Sequence, residues 1–117
     1  MNIAIDSTNM VTIAPDSYGA VTTGAGVDLV SCFGKGQAIL VAQATTGDTI
    51  GAKIQDSADN SSFADVSGLA FTSFSTAAQS QKLTLDKSVL RRYVRAISTT
   101  TGGTGPHKLA VVIAFQK

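Results

Sequence analysis

A chain of 117 residues and 12.0 kDa is sized for one domain, and area scaling lets it bury about 65% of its surface, enough for a core without disulfides or metals. Charged residues make up only 15%, below the ~25% of ordinary soluble domains, and the net charge of +1 argues against a nucleic-acid binder, which would show a concentrated basic footprint. Hydrophobic residues reach 44% with aromatics at 6% and no Trp, so small side chains fill the gap, as in a β-protein that hides part of a sparsely charged surface in an assembly.

Residues 1–26 read as an N-terminal arm carrying one or two weak strands. Ile3 and Ile5 alternate, and Met10, Val11 and Ile13 form a second short apolar cluster. Pro15, Gly19, Gly24 and Gly26 interrupt any regular element. Such an arm packs along the body in a monomer and reaches a neighbour in an oligomer. The first ten residues have no basic stretch and no long apolar run, so they do not read as a secretory signal.

Residues 27–117 read as a β-sandwich domain. Val27–Cys32 is a short strand and Gly34-Lys35-Gly36 a tight turn. Cys32 is the single cysteine, so no intrachain disulfide is possible, and the expectation is a buried, inert thiol in a reducing cytosol. Ala38–Ala44 is apolar on both faces except at Gln43, which predicts a central strand covered on both sides. Thr45–Asp48 is a Gly-containing loop that would join it as a hairpin to the next strand. In that strand Ile50, Ala52 and Ile54 alternate with Gly51, Lys53 and Gln55. Asp56–Ser62 is a polar turn, since Asp, Asn and Ser bond to nearby backbone and tolerate unusual dihedrals.

Phe63–Val66 is a short strand, Ser67-Gly68 turns again, and Leu69, Phe71 and Phe74 add bulk before a small polar loop over 75–80. Gln81–Leu85 alternates as a strand. Asp86–Leu90 reads as one helical turn capped by Asp86 or Ser88. Arg92–Thr100 is extended, with Val94 and Ala96 on one face and Tyr93, Arg95 and Ile97 on the other. Residues 101–106 are a flexible turn. His107–Gln116 is the last strand, with Leu109, Val111, Ile113 and Phe115 on one face and Ala110, Val112 and Ala114 on the other; the small alanines suit close approach of another layer or subunit. The longest apolar runs, such as Leu109–Phe115, fall far short of the ~20 residues of a membrane span. About eight short strands with one helical turn predict an all-β fold: an antiparallel two-sheet sandwich or jelly-roll-like barrel.

No catalytic constellation emerges. His107 is the single histidine and reads as a solvated turn residue; a triad would need a nucleophile and an orienting carboxylate around it, and zinc would need several His or Cys ligands. Asp56, Asp59, Asn60 and Asp65 offer hard oxygen ligands without the spacing of a calcium loop, so turn chemistry accounts for them better than a cation does. Lys87, Arg91, Arg92 and Arg95, with Lys82 nearby, form the basic cluster. Two readings stand side by side, a docking patch for an acidic protein surface or a solvated edge whose Arg stems cover apolar surface, with nucleic acid a weaker third.

Two stretches carry a resemblance. Lys53–Gly68, KIQDSADNSSFADVSG, and Leu90–Gly103, LRRYVRAISTTTGG, followed by the last apolar strand, resemble small structural proteins of tailed bacteriophages encoded among the head genes. The resemblance spans Val27–Phe115. It implies a virion protein, a capsid decoration or cement protein that is β-rich, trimeric and bound to the outer shell where capsomers meet. It implies as partners the major capsid protein and further copies of the same chain, with no enzyme activity, cofactor, metal, nucleic acid or membrane. It places the chain on the capsid surface after synthesis in the host cytoplasm. The expected contacts are Ile3, Ile5, Met10 and Val11 in the arm, and Arg91 and Arg92 in the body. Alternatives are a head–tail joining or tail protein and, from another class, a carbohydrate-binding β-sandwich, which the scarcity of aromatic platforms (Tyr18 and Tyr93, no Trp) disfavours. A hydrolase would need an acid–base set that the sequence does not assemble.

Overall fold

Eight strands and one 3-10 turn make up the described residues, 7–18, 22–43, 49–73, 78–101 and 107–116, of a computed structural model. The strands are β1 (Ser7–Tyr18), β2 (Val27–Asp28), β3 (Phe33–Gln43), β4 (Thr49–Ser57), β5 (Ala64–Ala70), β6 (Ala78–Asp86), β7 (Tyr93–Thr101) and β8 (His107–Gln116), with the 3-10 turn at Lys87–Val89. They make two four-stranded antiparallel sheets: sheet A in the order β1-β8-β3-β6 and sheet B in the order β2-β7-β4-β5.

The pairing has a simple rule. β4 pairs β5, β3 pairs β6, β2 pairs β7 and β1 pairs β8, so the chain is one long hairpin folded back at the β4–β5 turn and then rolled up. The contacts β3–β8 and β4–β7 close the roll into two sheets. This is the eight-strand jelly roll, and the all-β sandwich expectation holds.

Period-two burial builds the core. Leu109, Val111, Ile113 and Phe115 of β8 and Ala38, Leu40 and Ala42 of β3 face Ile50, Ala52 and Ile54 of β4 and Val94 and Ala96 of β7. Leu29, Cys32, Phe71, Leu85 and Leu90 plug the ends, and the Cys32 thiol is buried. Alanine alternates with larger residues on facing strands, which lets two sheets without Trp interdigitate at the ~10 Å spacing of a sandwich.

A bulge in β1 ties the two sheets together. Val11 pairs Val112 and Ile13 pairs Val111, leaving Thr12 as the extra residue. Its buried hydroxyl accepts the Ala96 N–H at 3.0 Å and donates to the Ala25 carbonyl at 2.8 Å. Gly24 lies so close to Thr12 and the Ala96 carbonyl that a Cβ would overlap both. On the opposite side, the Gln81 amide closes the gap by bonding the N–H and carbonyl of Thr72 at 2.9 and 2.7 Å.

Several sequence expectations need correction. β3 and β4 do not form a hairpin: they lie in different sheets, because each has one apolar face and they pack core to core. β3 is central in its sheet but covered on one face only, since Val41 is 55% exposed. Gly34-Lys35-Gly36 is a bulge inside β3, with Gly34 at φ 72°, and not a reversal. Ser67-Gly68 likewise lies within β5, with Gly68 at φ 80° and a register shift opposite β4. The strand expected over Val27–Cys32 stops at Asp28, whose carboxylate accepts the Val30 N–H and turns the chain. Asp86 caps the 3-10 turn, accepting the Ser88 N–H as expected.

Candidate functional site

The acidic turn sits at the apex of the roll. Asp59 Oδ1 accepts the Ser61 and Ser62 N–H groups at 2.9 Å and the Ser57 hydroxyl at 2.8 Å, and Asn60 adopts the left-handed φ of 61°. The Ser62 N–H, then the Ser61 N–H and the Ser57 hydroxyl, hold the Asp59 carboxyl down to about 2. Asp56 turns the other way. Arg91 donates to its carboxylate from Nε at 3.0 Å, from Nη2 at 2.8 Å and from its own backbone N–H at 3.1 Å, and Nη2 also bonds the Asp56 carbonyl at 2.7 Å. Asp65 accepts from Gln55 and Lys53, which hold its carboxyl below the usual range in that order. Three carboxylates are thus spent on three separate structural jobs. Among the described residues no three His, Cys, Asp or Glu side chains come together as a cation site.

The basic cluster is not one cluster in space. Arg95 lies on the outer face of sheet B, stacked 4.1 Å from the Phe63 ring and bonded to Gln55, which bonds Asp65. That face is a closed polar chain, Arg95–Gln55–Asp65–Lys53. Lys82 belongs to the outer face of sheet A, across from Ile39. Arg91 and Arg92 stay together just after the 3-10 turn. Arg92 clamps Asp28 with two bonds of 3.0 and 2.8 Å and stacks on Tyr93 at 5.0 Å, and it holds the Asp28 carboxyl below the usual range.

Large exposed hydrophobics occur in two places. Val30 (62%), Phe33 (56%) and Val89 (69%) sit at the end of the sandwich formed by the β2–β3 turn, the start of β3 and the 3-10 turn. The two segments are tied there: the Leu29 N–H bonds the Arg92 carbonyl, and Asp28 bonds the Arg92 guanidinium. This end is the candidate docking surface, three apolar side chains bordered by two arginines that are each about half exposed. Of the contacts expected from sequence, Arg91 and Arg92 are here. Met10 and Val11 lie on the edge strand β1, Met10 packed against the core and Val11 half exposed. Ile3 and Ile5 lie outside the described residues, and the stretch read as an arm contributes β1 to sheet A.

Val30, Phe33 and Val89 were not among the expected contacts, although a local signal exists. Val89 and Leu90 are adjacent apolar residues, as are Leu29 and Val30, and adjacent side chains point in different directions in a 3-10 turn or a tight turn as they do in a strand. One of each pair must face out.

Against known proteins, neither the protein-family models nor the curated proteins give a match. Solved structures do align. The SPBc2 prophage-derived protein YomS superposes with a TM-score of 0.57 at 10% identity, over 97% of this chain and 97% of that one. A chain of infectious bursal disease virus, Gx strain, gives 0.55 at 10% identity over 96% of this chain, and one of the Gt strain gives 0.51 at 11% over 97%. This chain spans about a third of those two viral chains (32% and 33%). At these identities the likeness is one of fold. No helix among the described residues is long and apolar enough to cross a membrane.

Proposed function

We propose that this chain is a structural virion protein of a tailed phage that binds the outside of the capsid as a decoration or cement protein. The observation that carries the reading is a jelly roll that aligns along nearly its whole length with a prophage-derived protein and with a domain-sized part of a virus chain, and that leaves a three-residue apolar surface uncovered. The phage-like stretches Lys53–Gly68 and Leu90–Gly103 add support: the first runs from the second half of β4 through the apex turn into most of β5, and the second includes Arg91, Arg92 and β7.

In this reading the major capsid protein covers Val30, Phe33 and Val89, and the half-exposed Arg91–Asp56 and Arg92–Asp28 pairs form the polar rim of the contact. Further copies of the chain are the second partner. The role is mechanical and needs no catalytic group. A ligand that binds the assembled lattice and not free subunits stabilises the lattice by mass action, about 2.7 kcal/mol per site at a hundredfold excess over the dissociation constant. Copies around a symmetry axis add multivalency.

The test is to mix the purified chain with capsids of its own phage that lack it, pellet and image them. Saturable binding at regular lattice positions is expected. Binding to tails or to the head–tail joint, or to neither, overturns the proposal.

A further inference from the structure

We infer that the outer face of sheet A pairs two copies of this chain face to face, about a two-fold axis running along the strands between β3 and β8. This rests on the self-association part of the reading above and is independent of how the capsid is bound.

The two outer faces of the sandwich differ in kind. Sheet B presents the closed chain Arg95–Gln55–Asp65–Lys53, in which polar groups satisfy one another beside solvent. Sheet A presents Val11, Val112 and Ile39 as one cross-strand row, Ala110 and Val41 as the next, and Ala114 beyond them. Val11 and Val41 are each about half exposed (49% and 55%). Lysines stand only around this apolar centre. Lys82 stands across from Ile39 on β6, and Lys108 across from Gln43 at one end of β8.

Three features favour a second copy as the occupant. The first is size. The β3–β8 ladder from Lys108 to Gln116 is ~30 Å long and four strands are ~19 Å wide, so the face offers roughly 600 Å². A standard interface takes ~800 Å² from each partner, so this face suits a pair that forms and separates with concentration.

The second is shape. β3 carries the bulky residues of the centre, Ile39 and Val41, while β8 carries Ala110 and Ala114 around Val112. A two-fold axis along the strands lays β3 of one copy over β8 of the other and sets Val41 against Ala110. An axis across the strands would stack β3 on β3 and alanine on alanine, leaving a gap beside a clash. The third is charge. The along-strand axis places Lys82 of one copy over Val11 of the other, and Lys108 over Gln43, so the lysine rims do not meet. The contact is isologous and closes at two copies.

Sedimentation or light scattering over about a hundredfold dilution through the micromolar range tests this. The expected mass moves from twice the 12.0 kDa chain mass to once that mass on dilution. Val41→Lys should weaken pairing at least tenfold with a melting temperature that matches wild type at dilutions where both are single copies, while Val89→Lys leaves pairing unaltered. Ala110→Leu should also weaken it, and adding Val41→Ala to that variant should restore most of the loss, because the two side chains meet across the axis. A single-copy mass at every concentration, a three-copy mass, undiminished pairing by Val41→Lys, or no restoration by Val41→Ala would each overturn the inference. None of those results touches the capsid proposal, which stands or falls on capsid binding.

Discussion

Replacing Arg91 by alanine removes three side-chain hydrogen bonds at once, two to the Asp56 carboxylate and one to the Asp56 carbonyl. The Asp56 side chain is 11% exposed, so its charge keeps only the Arg91 backbone N–H as a partner. Breaking a fully buried pair costs about 3–5 kcal/mol, and an exposed pair is worth about 0–1. Arg91 is 46% exposed and water can reach the vacated side, which sets the expected loss between these limits at about 2–3 kcal/mol. An unfolding entropy of ~2.1 cal/mol/K per residue gives ~0.25 kcal/mol/K for this chain, so the melting temperature should fall by about 8–12 °C. Arg92→Ala is the internal control. It removes an equally short pair from an Asp28 that is 38% exposed, and should lower the melting temperature far less than Arg91→Ala does, because solvent screens an exposed pair. Calorimetry of both variants decides the matter. Equal losses would refute the argument that burial of Asp56, and not pair geometry, sets the magnitude. A double-mutant cycle with Asp56→Ala should return a coupling of about 1–2 kcal/mol.

Other consequences can be checked alongside. Asp59, held at about 2 against an ordinary 3.8, has a depressed folded value; its contribution is present above pH ~4 and is lost as pH falls toward 2. Asp28, Asp65 and Asp86 are shifted the same way, so the melting temperature should fall through that window, and Asp59→Asn should flatten the fall. Thr12→Val leaves the Ala96 N–H and Ala25 carbonyl without their hydroxyl partner and should cost about 2–4 kcal/mol in urea unfolding, with Thr12→Ser restoring most of it. Gly36→Ala drives a Cβ into the Ala114 carbonyl and the Phe115 ring, whereas Gly68→Ala meets open space and strains only its φ of +80°, about 1–2 kcal/mol. Gly36→Ala should therefore be the more damaging of the two.

The strands were legible where one face is buried and the other polar. β4, β7 and β8 alternate cleanly, and Val94, Ala96, Leu109, Val111, Ile113 and Phe115 are core as their spacing indicates. Local grammar also gave the apex turn and the Asp86 cap. What the pattern could not carry was partner choice between strands. A short loop after β3 suggests a hairpin, but in a rolled-up chain consecutive strands other than the apical pair β4–β5 cross to the opposite sheet, and only long-range ladders such as β1–β8 reveal it. Gly34 in β3 and Gly68 in β5 read as turns because a bulge and a turn need the same positive φ. Continuous apolarity in Ala38–Ala42 has two causes that sequence does not separate: a second covering layer within the chain, or an outer face such as Ile39 and Val41 kept for another molecule. The docking end was half visible. Arg91 and Arg92 stood out as charges, but their engagement by Asp56 and Asp28, 35 and 64 residues away, depends on the fold.

The most direct measurement is the thermal stability of undecorated capsids with and without saturating amounts of this chain, followed by calorimetry. A capsid-dissociation transition that moves up with added chain, and moves less with Phe33→Lys or Val89→Lys variants that fold normally, is the predicted result. A transition unmoved at saturation, or moved equally by the variants, would contradict the account.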